Sequence, residues 1–235
     1  MIRPSGTTGA ATTPPDTVTE FVVEQVRDRI VLGKVKPGQK LSVYSLAEEF
    51  GCSRVPLREA VRQLEAESLV DNLPRRGTVV RALNLADITD AFLILQRIEV
   101  IAAQRAATGD DSTIAKDMRY WLDTMTQLTE QGVPEISEAM LNAHRAFHFA
   151  LFRGAGEGVL QRHLHMLWNT CERYVINSRT PGRSKAAALE HGEIARQIEA
   201  KDPDGVAAAL AVHLAASKSA TMECLNAMGI AEPTA

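Results

Sequence analysis

Cysteine is scarce: Cys52, Cys171 and Cys224 are the only three in 235 residues, far apart and with no CxxC pair. So odd and scattered a set excludes a disulfide framework and a zinc ribbon, and suits a reducing cytoplasm. No apolar run approaches the roughly 18 residues that a membrane span needs, so no membrane partner is expected. Met1 to Pro15, rich in Thr, Pro, Gly and Ala, lacks the apolar stretch of a signal peptide, and residues 1–16 read as a disordered tail. A strong charge of either sign is also missing. The formal net charge is −3, and residues 17–80 hold ten Lys and Arg against nine Asp and Glu. Any nucleic-acid binding must therefore come from where positive charge sits, not from how much there is. No internal repeat is evident, and the length admits two domains or one large one.

What the chain does have is concentrated first in Ser53-Arg54-Val55-Pro56-Leu57-Arg58-Glu59-Ala60-Val61-Arg62-Gln63-Leu64. Arg54, Arg58 and Arg62 recur every four residues, which puts them on one side of a helix. Leu57, Ala60, Val61 and Leu64 form the neighbouring apolar stripe. Ser53 is suited to the N-cap, and Pro56 falls in the first turn, where a missing N–H costs little. Outward guanidinium groups on a short helix fit a DNA major groove, where bidentate arginine–guanine contact is the commonest specific one. On spacing alone a solvated basic face is the more ordinary reading.

The flanking segments decide between these readings. Val18 to Leu32 reads as a helix with Val18, Val22, Val26 and Ile30 on one face, stopped by Gly33 and a Lys36-Pro37-Gly38 turn. Ser42 caps a short helix through Leu46, Ala47 and Phe50 that ends at Gly51, just before the arginine helix. Two helices with a tight glycine-containing turn are the helix-turn-helix pattern, and its second helix reads DNA. Leu69–Leu73 and Thr78–Ala82 then form a hairpin with a basic tip, Pro74-Arg75-Arg76-Gly77. The module over residues 17–82 is a winged helix-turn-helix, with Ser53, Arg54, Arg58, Arg62, Arg75, Arg76 and Gly77 as its DNA-binding set.

Residues 18–82 resemble the DNA-binding domain of the GntR family of bacterial transcription regulators. The resemblance runs through Pro37-Gly38, Leu41-Ser42, Leu46-Ala47-Glu48, Ser53 to Ala60 and Arg75-Arg76-Gly77. It implies that Arg54 and Arg58 contact bases or phosphates and that Arg76-Gly77 reaches toward the minor groove. Two residues depart from the family's pattern. Tyr44 stands where many relatives carry a charged, DNA-touching residue, and Ser68 replaces a usual glycine.

After a short linker at 83–86 the pattern becomes wholly helical, with helices expected at about 87–107, 112–131, 135–153, 159–179, 186–200 and 204–227. This is a bundle of six or seven helices over 87–230, followed by a tail at 231–235; the fold class is mainly α. Its chemistry lies in histidine. His144 and His148 are one turn apart and project side by side, as a metal-chelating pair does. His191 and His213 lie on the two later helices, among apolar or small residues. Spacing alone leaves two readings open, metal ligands or hydrogen-bonded core histidines.

Residues 87–227 resemble the FCD effector domain of the FadR-like branch of that family. Phe147-His148, His191-x-x-Ile194 and a histidine 22 residues later, His213, match its metal-binding pattern. His144 stands where the family usually has Asp or Asn. The resemblance implies a site of His144, His148, His191 and His213. Four neutral imidazoles leave a divalent ion at +2, which favours an anionic ligand, and an all-nitrogen shell favours Zn, Ni or Cu over Mg or Ca. The expected cofactor is zinc, with nickel as the variant, and the expected effector a small carboxylate. Leu95 replaces the family's frequent arginine four residues before Glu99, so Arg97 and Arg173 are the remaining candidates to steady the acid's far end. His163 and His165 are assigned to the surface or pocket wall, and Trp168 and Tyr174 to the core. Glu190 and Glu193 flank His191 but are expected to point elsewhere, leaving no general base beside the metal. The whole reads as a homodimeric regulator on a palindromic operator, not an enzyme. The alternatives are a helical metalloenzyme or a regulator that senses the metal itself.

Overall fold

In the computed structural model, which describes residues 17–178 and 184–230, Thr17 opens helix α1 (Val18–Val31) with a capping box. Its side chain accepts from the Glu20 N–H, and the Glu20 carboxylate accepts from the Thr17 N–H. The tails expected at 1–16 and 231–235 lie outside the described residues. Helix α1 buries Val22, Val23, Val26, Ile30 and Val31. Val18, expected on the same face, is 57% exposed because it lies at the first turn, beyond the reach of the core. Ser42 caps α2 (Val43–Phe50) by accepting from the Ser45 N–H, and Gly51 ends that helix at φ +61°, a conformation glycine takes without steric cost.

Helix α3 (Arg54–Ala66) follows at once and packs Leu57, Ala60, Val61 and Leu64 into the core of this first unit. Strands β1 (Val70–Leu73) and β2 (Gly77–Val80) pair antiparallel, with Val70 opposite Val80 and Leu73 opposite Gly77. Lys40 joins them through a bridge to Val79.

The second unit holds α4 (Leu85–Thr108), α5 (Thr113–Glu130), α6 (Glu138–Phe152), α7 (Val159–Ser178), α8 (Ser184–Glu199) and α9 (Pro203–Ala227) around a separate hydrophobic core. Every end lies within three residues of the expected one. Helix α6 starts latest relative to expectation because Ser137 caps it, accepting from the Met140 N–H. Between α6 and α7, a 3-10 turn (Arg153–Ala155) presses on α4. A Cβ at Gly154 would lie 2.3 Å from the Ala102 carbonyl oxygen, so only glycine allows that approach.

The connection between the units is shorter than expected and pinned. Helix α4 already begins at Leu85, and Asn84 caps it by accepting from the Asp87 N–H. The Asn84 N–H donates to the Tyr174 hydroxyl at 3.1 Å, and Arg173 donates to the Arg81 carbonyl at 3.0 Å. From the other side, Arg145 of α6 donates to Asp28 of α1 at 2.7 Å, and Lys34 pairs with Glu138 at 3.0 Å.

Candidate DNA-reading face and histidine centre

Arg54, Arg58 and Arg62 are all exposed along α3, and Arg75, Arg76 and Gly77 are exposed at the hairpin tip. The Arg54 guanidinium lies 4.4 Å over the Tyr44 ring of α2, a cation–π contact. Tyr44 thus gives Arg54 a platform. Arg62 pairs with Glu59 at 2.7 Å, a solvent-facing contact of little energetic weight. Ser53 occupies the N-cap position, yet its side chain accepts no capping hydrogen bond. The expected cap fails because the third helical residue is Pro56, which has no N–H to donate. Lys40, unassigned from sequence, belongs to the same basic surface, its Cε 3.7 Å from where a Cβ on Gly77 would stand. Its neighbours in the chain carry no helical or strand pattern that would have marked it.

The four histidines converge. His144 and His148 come from α6, His191 from α8 and His213 from α9, and one nitrogen of each lies within 4.8 Å of those of the others. His148 Nε2 stands 3.3 Å from His191 Nε2. Metal–imidazole bonds of about 2.0–2.1 Å at tetrahedral angles place two nitrogens roughly 3.3–3.4 Å apart, so the spacing fits a four-nitrogen site. Burial pushes His148 well below the usual imidazole range, and the three neighbouring imidazoles add to this, so the ring is neutral as a ligand must be.

Two carboxylates back these rings. Glu99 Oε1 lies 3.0 Å from His148 Nδ1, and Glu190 Oε2 lies 2.9 Å from His213 Nδ1. Such partners leave Nε2 to face a metal and hold the ring's orientation. Glu190 therefore does not point elsewhere: from α8 it reaches His213 of α9. Glu193 does, pairing with Arg196 at 2.6 Å. Glu99 is completely buried, and desolvation pushes its carboxyl up to about 8. A carboxyl raised this far is largely protonated near neutrality, so Glu99 serves to orient His148 and not to add negative charge.

Beside the centre lies a cavity of about 340 Å³, within the range of small-molecule sites. His144, His191 and His213 line it together with Leu95, Leu122, Met125, Trp168, Cys171 and Glu172; Glu130 and Glu135 are among its exposed members. Among the described residues, no lysine or arginine lines it. Both arginines proposed for the effector are therefore corrected. Arg97 sits on the exposed side of α4, four residues from the exposed Leu93 and Ile101. Arg173 is buried at the joint between the units, where it holds the Arg81 carbonyl. Trp168, assigned to the core, is buried but also walls the cavity, its ring 4.2 Å from that of His148. Tyr174 is core, as expected. His163 is exposed and bonds the Val159 carbonyl, while His165 stacks on Phe149 at 4.3 Å; neither lines the cavity.

One further group reaches the cavity wall from outside it. Arg145 donates through Nε and Nη2 to Glu172 Oε2, at 2.9 and 2.7 Å, and through Nη1 to Asp28. A buried ion pair thus joins α6 and α7, with an arm onto α1.

Comparison with known proteins agrees with this architecture. Residues 18–80 match the family model described as bacterial regulatory proteins, gntR family, and residues 90–216 match the FCD domain. The chain is 31% identical over 208 residues to a probable D-xylose utilization operon transcriptional repressor of Paenarthrobacter nicotinovorans, covering 85% of this chain and 88% of that one. Among solved structures it resembles E. coli McbR/YncC (TM-score 0.79, 20% identity, 89% of this chain and 99% of that one). It also resembles a putative transcriptional regulator GntR from Rhodococcus sp. RHA1 (TM-score 0.71, 22% identity, 87% and 97%).

Proposed function

Because the chain belongs to the GntR family of bacterial DNA-binding transcription regulators and carries the FCD domain, we propose that a small carboxylic acid at its histidine centre sets its affinity for operator DNA. The observation that carries this reading is the opening of three centre histidines into a largely apolar cavity, with Arg145, which bridges to α1, next to His144 on α6. His144, His148, His191 and His213 would hold the ion, zinc or nickel by the softness of their donors. When bound, the metal supplies a Lewis-acidic position for an anionic oxygen. The protein supplies the rest: Glu99 and Glu190 orient rings, Trp168 and the aliphatic wall exclude water, and α6 carries the change toward α1. A ligand shifts the regulator only as far as it binds one arrangement of the two units better than the other.

The experiment is operator affinity of the metal-loaded protein, with and without a panel of small carboxylates, all in the same cytoplasm-like buffer. At least one acid should change that affinity severalfold and raise thermal stability by mass action. If metal removal alone changes operator affinity and no acid adds to it, the ion is the signal.

On DNA, Ser53, Arg54, Arg58 and Arg62 enter the major groove, while Arg75, Arg76 and Gly77, with Lys40, follow the backbone toward the minor groove. Two copies act together. Leu93, Ile94 and Ile101 leave an apolar strip exposed on α4 (53%, 48% and 42%) that a second copy would cover. A palindrome with half-sites about one helical turn apart should therefore bind far more tightly than one half-site. In the same assay Arg58→Ala should lose roughly 1–3 kcal/mol of discrimination between operator and random DNA. An equal loss on both would make Arg58 a phosphate contact, and equal affinity for half-site and palindrome would remove the dimer.

A further inference from the structure

Glu172 is divided between two environments. Its Oε2 takes both Arg145 hydrogen bonds, whereas Oε1 is buried, has no hydrogen-bond partner and belongs to a residue that lines the cavity. The side chain is only 4% exposed, so bulk water is not its default partner. One turn earlier on the same helix, the Trp168 indole N–H is also buried without a hydrogen-bond partner; its pull on the Glu172 carboxylate is the weakest of those acting there. A buried acceptor and a buried donor left unsatisfied side by side each carry a desolvation cost that a ligand can remove.

The chemistry of that ligand follows from the pair. A hydroxyl donates to Glu172 and accepts from Trp168, whereas an ammonium can only donate and an ether can only accept. A second carboxylate would meet the Glu172 charge with no lysine or arginine among the described lining residues to offset it. Leu95, Leu122 and Met125 require an apolar body between the two ends. Trp168 touches the histidine centre, and Glu172 lies one turn, ~5.4 Å, farther along α7. The hydroxyl is thus several bonds from the acid, not on the adjacent carbon.

We propose that Glu172 is the cavity's second recognition point: it selects an apolar monocarboxylic acid with a remote hydroxyl, and its hold on Arg145 passes that event to Asp28 in α1. The inference rests on the carboxylate reading of the histidine centre. Taking up a ligand donor changes the charge that Glu172 presents to Arg145, and among the described residues Arg145 is the side chain bonded both to Glu172 and to the DNA-binding unit.

The test uses the full-length, zinc-loaded protein and matched acids: 3- and 4-hydroxybenzoate, the methoxy analogues, benzoate itself, ω-hydroxy straight-chain acids, their unsubstituted parents and the corresponding dicarboxylates. In the wild type a hydroxy acid should bind at least tenfold tighter than its parent, because the parent leaves a buried charged acceptor unpaired. In Glu172→Gln the amide oxygen must serve Arg145 and the NH2 faces the cavity. The hydroxyl advantage should then shrink toward one while a methoxy acid gains on its parent. In Asp28→Asn, at a half-exposed site that leaves the cavity intact, the same acid should bind unchanged while its effect on operator affinity falls at least by half. Hydroxy acids and parents binding equally in the wild type, a hydroxyl advantage untouched by Glu172→Gln, or dicarboxylates binding tightest would overturn the assignment. An undiminished operator response in Asp28→Asn would overturn the relay. If no acid binds protein whose metal content is intact, the carboxylate reading itself fails, and this inference with it.

Discussion

His148→Ala should leave the purified protein without bound transition metal, where the parent should carry about one ion per chain in a four-ligand site. His148 is the deepest member of the centre: its side chain is fully buried, and its Nε2 lies 3.3 Å from that of His191. Removing it deletes a ligand and leaves a hole that no neighbouring nitrogen can fill without moving a helix. Elemental analysis reads the result directly, and equal metal in parent and variant would sink the four-histidine centre. A graded control strengthens it. Glu99→Gln keeps every ligand but weakens the group behind His148, so metal affinity should fall roughly 10–100-fold and not vanish. Both variants should still bind DNA, since the core under α3 is separate from the core around the histidines.

The second large effect is on folding. Arg145→Ala should cost about 3–5 kcal/mol, because it leaves the buried Glu172 carboxylate with no partner on either oxygen. Asp28→Asn removes a partner of the same arginine at the same 2.7 Å, yet should cost less than about 1 kcal/mol. The difference is burial: the Glu172 side chain is 4% exposed and that of Asp28 is 47%. Water replaces the lost contact at Asp28 and has no ready access at Glu172. The sign of the pH dependence follows. Burial raises the Glu172 carboxyl above its usual range, and Arg145 opposes that shift. Without Arg145 the folded-state value rises further, so the variant's deficit is largest above that value and shrinks as pH falls toward the unfolded carboxyl near 4.3. Denaturant unfolding at pH 5 and pH 8 measures both. Equal costs for the two substitutions would mean that Glu172 is reached by water in the folded protein.

Much of the DNA-binding unit was legible because its signals are local. Ser42, Gly33 and Gly51 mark helix ends within a few residues of themselves, and the Arg54, Arg58 and Arg62 spacing needs only helical geometry. Even the failed Ser53 cap was readable, since Pro56 stands three residues on and has no N–H. His144 and His148 were legible for the same reason. Arg97 and Arg173 were misplaced because their directions depend on how α4 and α7 pack: one turns outward, the other into the joint between the units. Glu99 and Glu190 were missed because their partners are 49 and 23 residues away, and only the crossing of α4, α6, α8 and α9 brings them together.

The sequence by itself determined a winged helix-turn-helix followed by an all-helical domain, and the four histidines able to form a nitrogen-ligand centre. Caps, turns and periodicity act over one or two helical turns, so they can be read along the chain. The tertiary structure alone decided that acids stand behind the histidines, that the cavity wall carries Glu172 but neither Arg97 nor Arg173, and that Arg145 spans 117 residues to reach Asp28. Burial and electrostatic pairing are properties of packed neighbours, and at those separations packing, not spacing, selects the neighbour.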